Sequence, residues 1–216
     1  MNLRSLDFRT DVLPFIIATA GEFTALYFWL YDLDQGHFLL ANAILWGGFA
    51  VERTAVYAWI QYIYREEEGR AVSSSFFSVF AGLFVITLTE VLIWILWLAL
   101  ADGQIAWLNF GFVENTILAG VVLMILMLIE HSVEMAGLRQ RSPLEYMTNG
   151  NTIFFTLMEV LGAVGWLYLV RTDRPVLGAL CLLVGLSIEH VLQGSELRPE
   201  TAPEDGTEVV TRPVET

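Results

Sequence analysis

Six apolar stretches, each long enough to cross a bilayer, each carry one glutamate near the middle, and this restricts the fold more than anything else in the chain. They run over about 12–31, 37–64, 75–101, 116–137, 151–170 and 176–194. A hydrocarbon core of about 30 Å takes a helix of about 20 apolar residues. Inside it only helices and closed barrels satisfy their own backbone polar groups. The expectation is an all-α polytopic membrane protein with six transmembrane helices in one domain, residues 1–194. Polar Met1–Asp11 leads into an apolar stretch without a small-residue cleavage site, so the first span reads as retained rather than as a signal peptide.

The glutamates are Glu22, Glu52, Glu90, Glu130, Glu159 and Glu189. A carboxylate at the centre of a bilayer costs about 2.5–3.5 kcal/mol on insertion scales. A chain that accepts this six times uses the groups. The odd stretches share a signature of Thr, Glu three residues on, and Trp seven after the Glu. It occurs as Thr19–Glu22–Trp29, Thr87–Glu90–Trp97 and Thr156–Glu159–Trp166, spaced by 68 and 69 residues. The even stretches carry an apolar residue, a Glu and a base: Val51-Glu52-Arg53, Ile129-Glu130-His131 and Ile188-Glu189-His190. The expectation is three helical hairpins, about 12–65, 75–140 and 151–194. They form a parallel repeat about an axis along the membrane normal. The middle repeat is longer, and its extra residues, about Gln104–Glu114, read as a segment along the interface. Glu114 would then start the fourth span, where an acid suits a helix N-terminus.

Arginines cluster at Arg4/Arg9, Arg65/Arg70, Arg139/Arg141 and Arg198. The positive-inside rule puts both termini in the cytoplasm of a prokaryotic cytoplasmic membrane, with Arg171 and Arg174 against the trend. The tail, 195–216, is acidic and rich in Pro, Glu and Thr, and reads as disordered. The formal charge is −13 and all eleven basic residues are Arg. An acidic chain without Lys fits a salt-loving organism, and argues against nucleic acid and anionic-lipid partners. The lone Cys181 forms no internal disulfide.

Helical geometry sets which groups face together. Thr and Glu three apart share a face. Trp at Glu+7 lies about 20° off that face and about 10 Å along the axis. An inward Glu therefore brings Thr and Trp inward, with the indoles as a vestibule or plug. On the even helices the adjacent Glu and His diverge by about 100°, so both do not point squarely at one ion. Glu134 and Gln193 extend Glu130 and Glu189 by one turn as polar ledges. Distances from the span ends put Glu22, Glu52, Glu130 and Glu159 in one layer, Glu90 deeper and Glu189 shallower.

Four functions are compatible with this pattern. The first is binding and movement of a cation or protons by the six Glu, with Thr19, Thr87 and Thr156. The second is a metalloenzyme acting on a quinone or lipid. Glu90, Glu130/His131, Glu159 and Glu189/His190 follow the order of a four-helix di-metal site, although the usual Glu-x-x-His spacing is absent. The third is haem held by His131 and His190. The fourth is a structural subunit in which Arg53 and the Glu cross-link helices, and Gly47-Gly48, Gly82 and Gly162/Gly165 pack internally, in a homo-oligomer or in a membrane complex. Enzymatic activity, cofactor and partners beyond the lipid bilayer are left open by the residues.

Overall fold

A computed structural model describes residues 13–67, 76–139 and 142–197. These residues are all helical, without a strand among them. The elements are α1 (Leu13–Asp34), α2 (Phe38–Glu67), α3 (Phe76–Ala101), a 3-10 turn (Ala106–Leu108), α4 (Phe112–Arg139), α5 (Pro143–Met147), α6 (Gly150–Arg171) and α7 (Pro175–Leu197). The expected tail beyond 197 and the arginine clusters at 4/9, 65/70 and 139/141 fall outside the described side chains.

Five helical stretches are long and apolar enough to cross a membrane: Leu13–Asp34, Gly82–Ala101, Phe112–Leu138, Gly150–Arg171 and Pro175–Leu197. The remaining long helix, α2, carries Glu52, Arg53, Asn42 and Gln61, which lower its apolar content. The surface is that of a chain dissolved in lipid. Leu39, Ile117, Val176 and Leu161 are among many large apolar side chains facing outward, while Glu, Arg, His, Thr and Gln side chains are buried.

α1, α3 and α6 end in the same way. After α1, His37 N–H donates to Asp32 C=O (2.8 Å) and Gly36 N–H to Leu33 C=O (3.0 Å). The same pair of bonds follows α3 (Gln104 to Ala99, Gly103 to Leu100) and α6 (Arg174 to Leu169, Asp173 to Val170). This double bond closes the last carbonyls of a helix and needs one residue with positive φ. Gly36 (79°), Gly103 (67°) and Asp173 (60°) supply it. At the same three turns Arg171 donates to Asp34 (2.8 and 3.0 Å) and to Asp102 (3.0 Å). Each of these three residues stands twelve after the Glu of its own helix. Arg171, the exception to the arginine distribution, is thus paired with two turn aspartates.

α1 packs on α2, α3 on α4, and α6 on α7. Contacts of α2 with α3, α4 with α6 and α7 with α1 close the six long helices into a ring. Two of the pairs are tight because glycine permits it. A Cβ on Gly48 would run into Ala25 and the Gly21 carbonyl, and one on Gly185 would meet Gly162 Cα at 2.9 Å. The equivalent positions of α3 and α4 hold Ile93 and Leu126. Gly47 and Gly82, expected as contact surfaces, meet nothing within 4 Å.

One boundary and one added helix differ from expectation. α4 starts at Phe112, four residues early, because Gly111 (φ 150°) breaks the chain just before it and Glu114 lies in its first turn. The segment before α4 is held by Asn115, whose side chain accepts from Phe110 N–H (3.0 Å) and donates to Asn109 (3.3 Å). Its Trp107 and Phe110 face outward. α5 went unforeseen: Ser142-Pro143 starts a five-residue helix too short to show a period.

Two apolar layers sandwich the polar one. Toward the paired turns lie Leu26, Trp29, Leu45, Phe49, Trp94, Trp97, Leu123, Trp166 and Leu186. At the opposite end lie Phe15, Val56, Trp59, Met135, Tyr146 and Leu197. Trp29, Trp97 and Trp166 are each 1% exposed, so the three indoles are a plug rather than the lining of an open vestibule.

Candidate functional site: a ring of acids and bases

All six glutamates are buried, together with Thr19, Thr87, Thr156, Arg53, His131, His190, Glu134 and Gln193. Glu90 and Glu189, expected off the common layer, belong to it. Their ion pairs with Arg53, His131 and His190 place them beside the other four.

The three bases follow one rule. Arg53 on α2 meets its neighbour Glu52 (Nε, 3.2 Å), Glu90 on α3 (Nη2, 2.8 Å) and Glu130 on α4 (Nη2, 3.1 Å). His131 Nε2 on α4 faces its neighbour Glu130 (3.8 Å), Glu159 on α6 (3.6 Å) and Glu189 on α7 (3.9 Å). His190 on α7 lies beside its neighbour Glu189 (Nδ1, 3.0 Å), with Nε2 toward Glu22 on α1 (3.7 Å) and Glu52 on α2 (3.6 Å). Each base therefore touches its own acid and both acids of the following helix pair.

The carboxylates of the even helices are bridges. Glu52 turns Oε1 to His190 and Oε2 to Arg53, Glu130 turns Oε1 to Arg53 and Oε2 to His131, and Glu189 turns Oε1 to His131 and Oε2 to His190. The result is a closed ring of alternating acid and base, with Glu22, Glu90 and Glu159 as prongs from α1, α3 and α6. Below it Glu134 accepts from Arg53 Nη1 and from Gln193 Nε2 (3.1 Å), which joins the two polar ledges.

The signature threonines orient the imidazoles. Thr156 donates to the Thr152 carbonyl (2.8 Å), so His131 Nδ1 donates to Thr156 Oγ1 (2.9 Å). His190 Nδ1 donates to the Leu186 carbonyl (2.9 Å), with Thr19 Oγ1 at 3.2 Å. A carbonyl only accepts, so His190 Nδ1 carries a proton. Both Nε2 atoms then aim at carboxylates at 3.6–3.9 Å, beyond hydrogen-bond length.

Several buried oxygens lack a hydrogen bond: Glu22 Oε1, Glu52 Oε2, Glu130 Oε2, Glu159 Oε2 and Glu189 Oε2. Glu52 Oε2 lies within ion-pair distance of Arg53 Nε, yet that N–H donates to Glu90 instead (3.1 Å). An unsatisfied buried carboxylate oxygen is costly, so the layer has unused capacity for positive charge.

Which residues fit a metal follows from this. Ligand atoms of Glu22, Glu189 and His190 lie within 4.8 Å of one another. The expected di-metal set is split: Arg53 engages Glu90 (2.8 Å), and His190 Nε2 turns to Glu22 and Glu52. Glu189 Oε2 lies beside His190 Nδ1 (3.0 Å), while His190 Nε2 turns to Glu22 and Glu52. Each histidine Nε2 faces carboxylates, not the apolar surroundings of a haem face. The bridging pattern could have been sought in the Glu-base pairs, whereas the partners of each base depend on helix neighbours. No family model, curated protein or solved structure matches the chain.

Proposed function

We propose that the chain is a six-span membrane protein, built from three parallel hairpin repeats, whose acid–base ring binds a cation or protons and moves them through the protein. The cyclic rule linking every base to three acids is the observation that carries this reading. Three equivalent turn caps, the Asp34–Arg171–Asp102 cluster and the closed ring of helix contacts support the repeat. α2 joins the spans because it lies in that ring between α1 and α3, with its two midway charges turned inward. Buried carboxylate oxygens without a hydrogen bond supply the binding capacity. The apolar layers on both sides make this an occluded arrangement, so movement requires one layer to part.

Flux into liposomes holding the purified full chain tests the reading. Glu90→Gln and Glu159→Gln should abolish cation or proton uptake while the proteins still insert and elute as single species. Wild-type flux in both variants would refute it.

A further inference from the structure

We propose that the cation is a divalent first-row transition ion, held by His190 Nε2 with Glu22 and Glu189 and completed by Glu52. This rests on the preceding reading that the ring takes up positive charge, and adds which ion and where. A six-coordinate ion with bonds of about 2.1 Å has neighbouring ligands about 3.0 Å apart and opposite ones about 4.2 Å apart. The ligand atoms of Glu22, Glu189 and His190 already lie within 4.8 Å of one another, and Glu52 Oε1 is 3.6 Å from His190 Nε2. Glu22, Glu189 and His190 are the compact part of the set, and Glu52 joins it through its approach to His190.

Three independent features point to a ligand here rather than to a packed acidic cluster. His190 donates from Nδ1 to a backbone carbonyl, which turns Nε2 toward Glu22 and Glu52. That is how a protein presents a metal-binding imidazole. Thr19, one turn before Glu22, steadies the same ring from α1. Glu22 Oε1 is buried without a hydrogen bond.

The ligand types choose the ion. An imidazole nitrogen with carboxylate oxygens suits zinc, manganese, iron or cobalt, whereas calcium and magnesium take oxygen alone. The single thiol, Cys181, packs against Gly165, which removes the soft ligand that copper(I) prefers. The position of Arg53 gives an internal comparison. It faces Glu52, Glu90 and Glu130 as His190 faces Glu189, Glu22 and Glu52. There the guanidinium is a built-in cation, and at His190 the metal takes that part.

The full chain is purified in detergent, stripped with a chelator and titrated with Zn²⁺, Mn²⁺ and Co²⁺, with bound metal counted by mass spectrometry. Wild type should bind about one ion per chain. His190→Ala and Glu22→Gln should lose it, and Thr19→Val should weaken it about 10–100-fold as an orienting residue does. Arg171→Ala, at the paired turns and outside the ring, should keep it. X-ray absorption of the loaded wild-type protein covers the case in which a variant fails to fold. It should show one imidazole nitrogen at about 2.0–2.1 Å among oxygen ligands. Absence of binding for all three ions, full binding in a folded His190→Ala protein, or no imidazole scattering overturns the metal site. Failure of metal binding with intact, Glu159-dependent proton flux leaves the ring's cation reading standing. Failure of both removes both.

Discussion

Replacing Arg53 by Met should unfold the centre of the molecule more severely than any other single change in the polar layer. The guanidinium contacts Glu52 at 3.2 Å, Glu90 at 2.8 Å, Glu130 at 3.1 Å and Glu134 besides, with 3% of the side chain exposed. Met preserves much of the length and removes the charge, so four carboxyl groups on three helices are left facing one another. Removing one partner of a buried ion pair costs about 3–5 kcal/mol. For a chain of this size that corresponds to a fall in unfolding midpoint of about 6–20 °C. The assay is thermal unfolding in one detergent, followed by fluorescence of the buried tryptophans. Arg53→Lys should recover less than half of the loss, because an ammonium cannot span the fork of oxygens. Adding Glu134→Gln to Arg53→Met should recover part of it, a coupling that a double-mutant cycle isolates. If Arg53→Met stays within about 1 kcal/mol of wild type, or the second change adds a further loss, the charge-compensation argument fails.

Further outcomes follow from the packing and the topology. Gly185→Val should cost about 1–3 kcal/mol by overpacking, because a Cβ there meets the Met158 carbonyl at 2.7 Å. Gly47→Ala should gain about 0.5–1 kcal/mol, since nothing lies within 4 Å; both are read by thermal unfolding. Arg171→Ala should cost less than about 1 kcal/mol and less still in high salt, because its pairs with Asp34 and Asp102 are partly solvated. With Cys181 replaced by Ser, single cysteines at Gln35, Gln104 and Thr172 should all react with an impermeant thiol reagent from one side of the membrane. Labelling of Gln35 and Gln104 from opposite sides would mean that α2 does not cross.

The amino-acid sequence exposed the long helices because lipid-length apolar runs admit few alternatives. Boundaries depended on local chemistry, and Gly111 and Ser142-Pro143 overrode the count of apolar residues. Among the site residues, the burial of Glu22, Glu52, Glu90, Glu130, Glu159 and Glu189 was legible from their cost in lipid. The inward turn of the three tryptophans followed from their shared face with those acids. Arg53 was readable as a cross-link, but its four partners are spread over α2, α3 and α4 and emerge only once helix neighbours are known. The threonine contacts of His131 and His190 were out of reach for the same reason, since Thr156 lies 25 residues away and Thr19 lies 171 away.

Ligand-induced stabilisation tests the central claim, that the ring takes up positive charge, most directly. Unfolding midpoints of wild type and Glu159→Gln are compared across a panel of monovalent and divalent cations and a pH series. A ligand at a hundred times its dissociation constant stabilises by about 2.7 kcal/mol, or about 5–11 °C for a chain of this size. The account predicts that a cation, or protons, raises the wild-type midpoint by several degrees more than that of Glu159→Gln. Identical responses of the two proteins across the whole panel would contradict it.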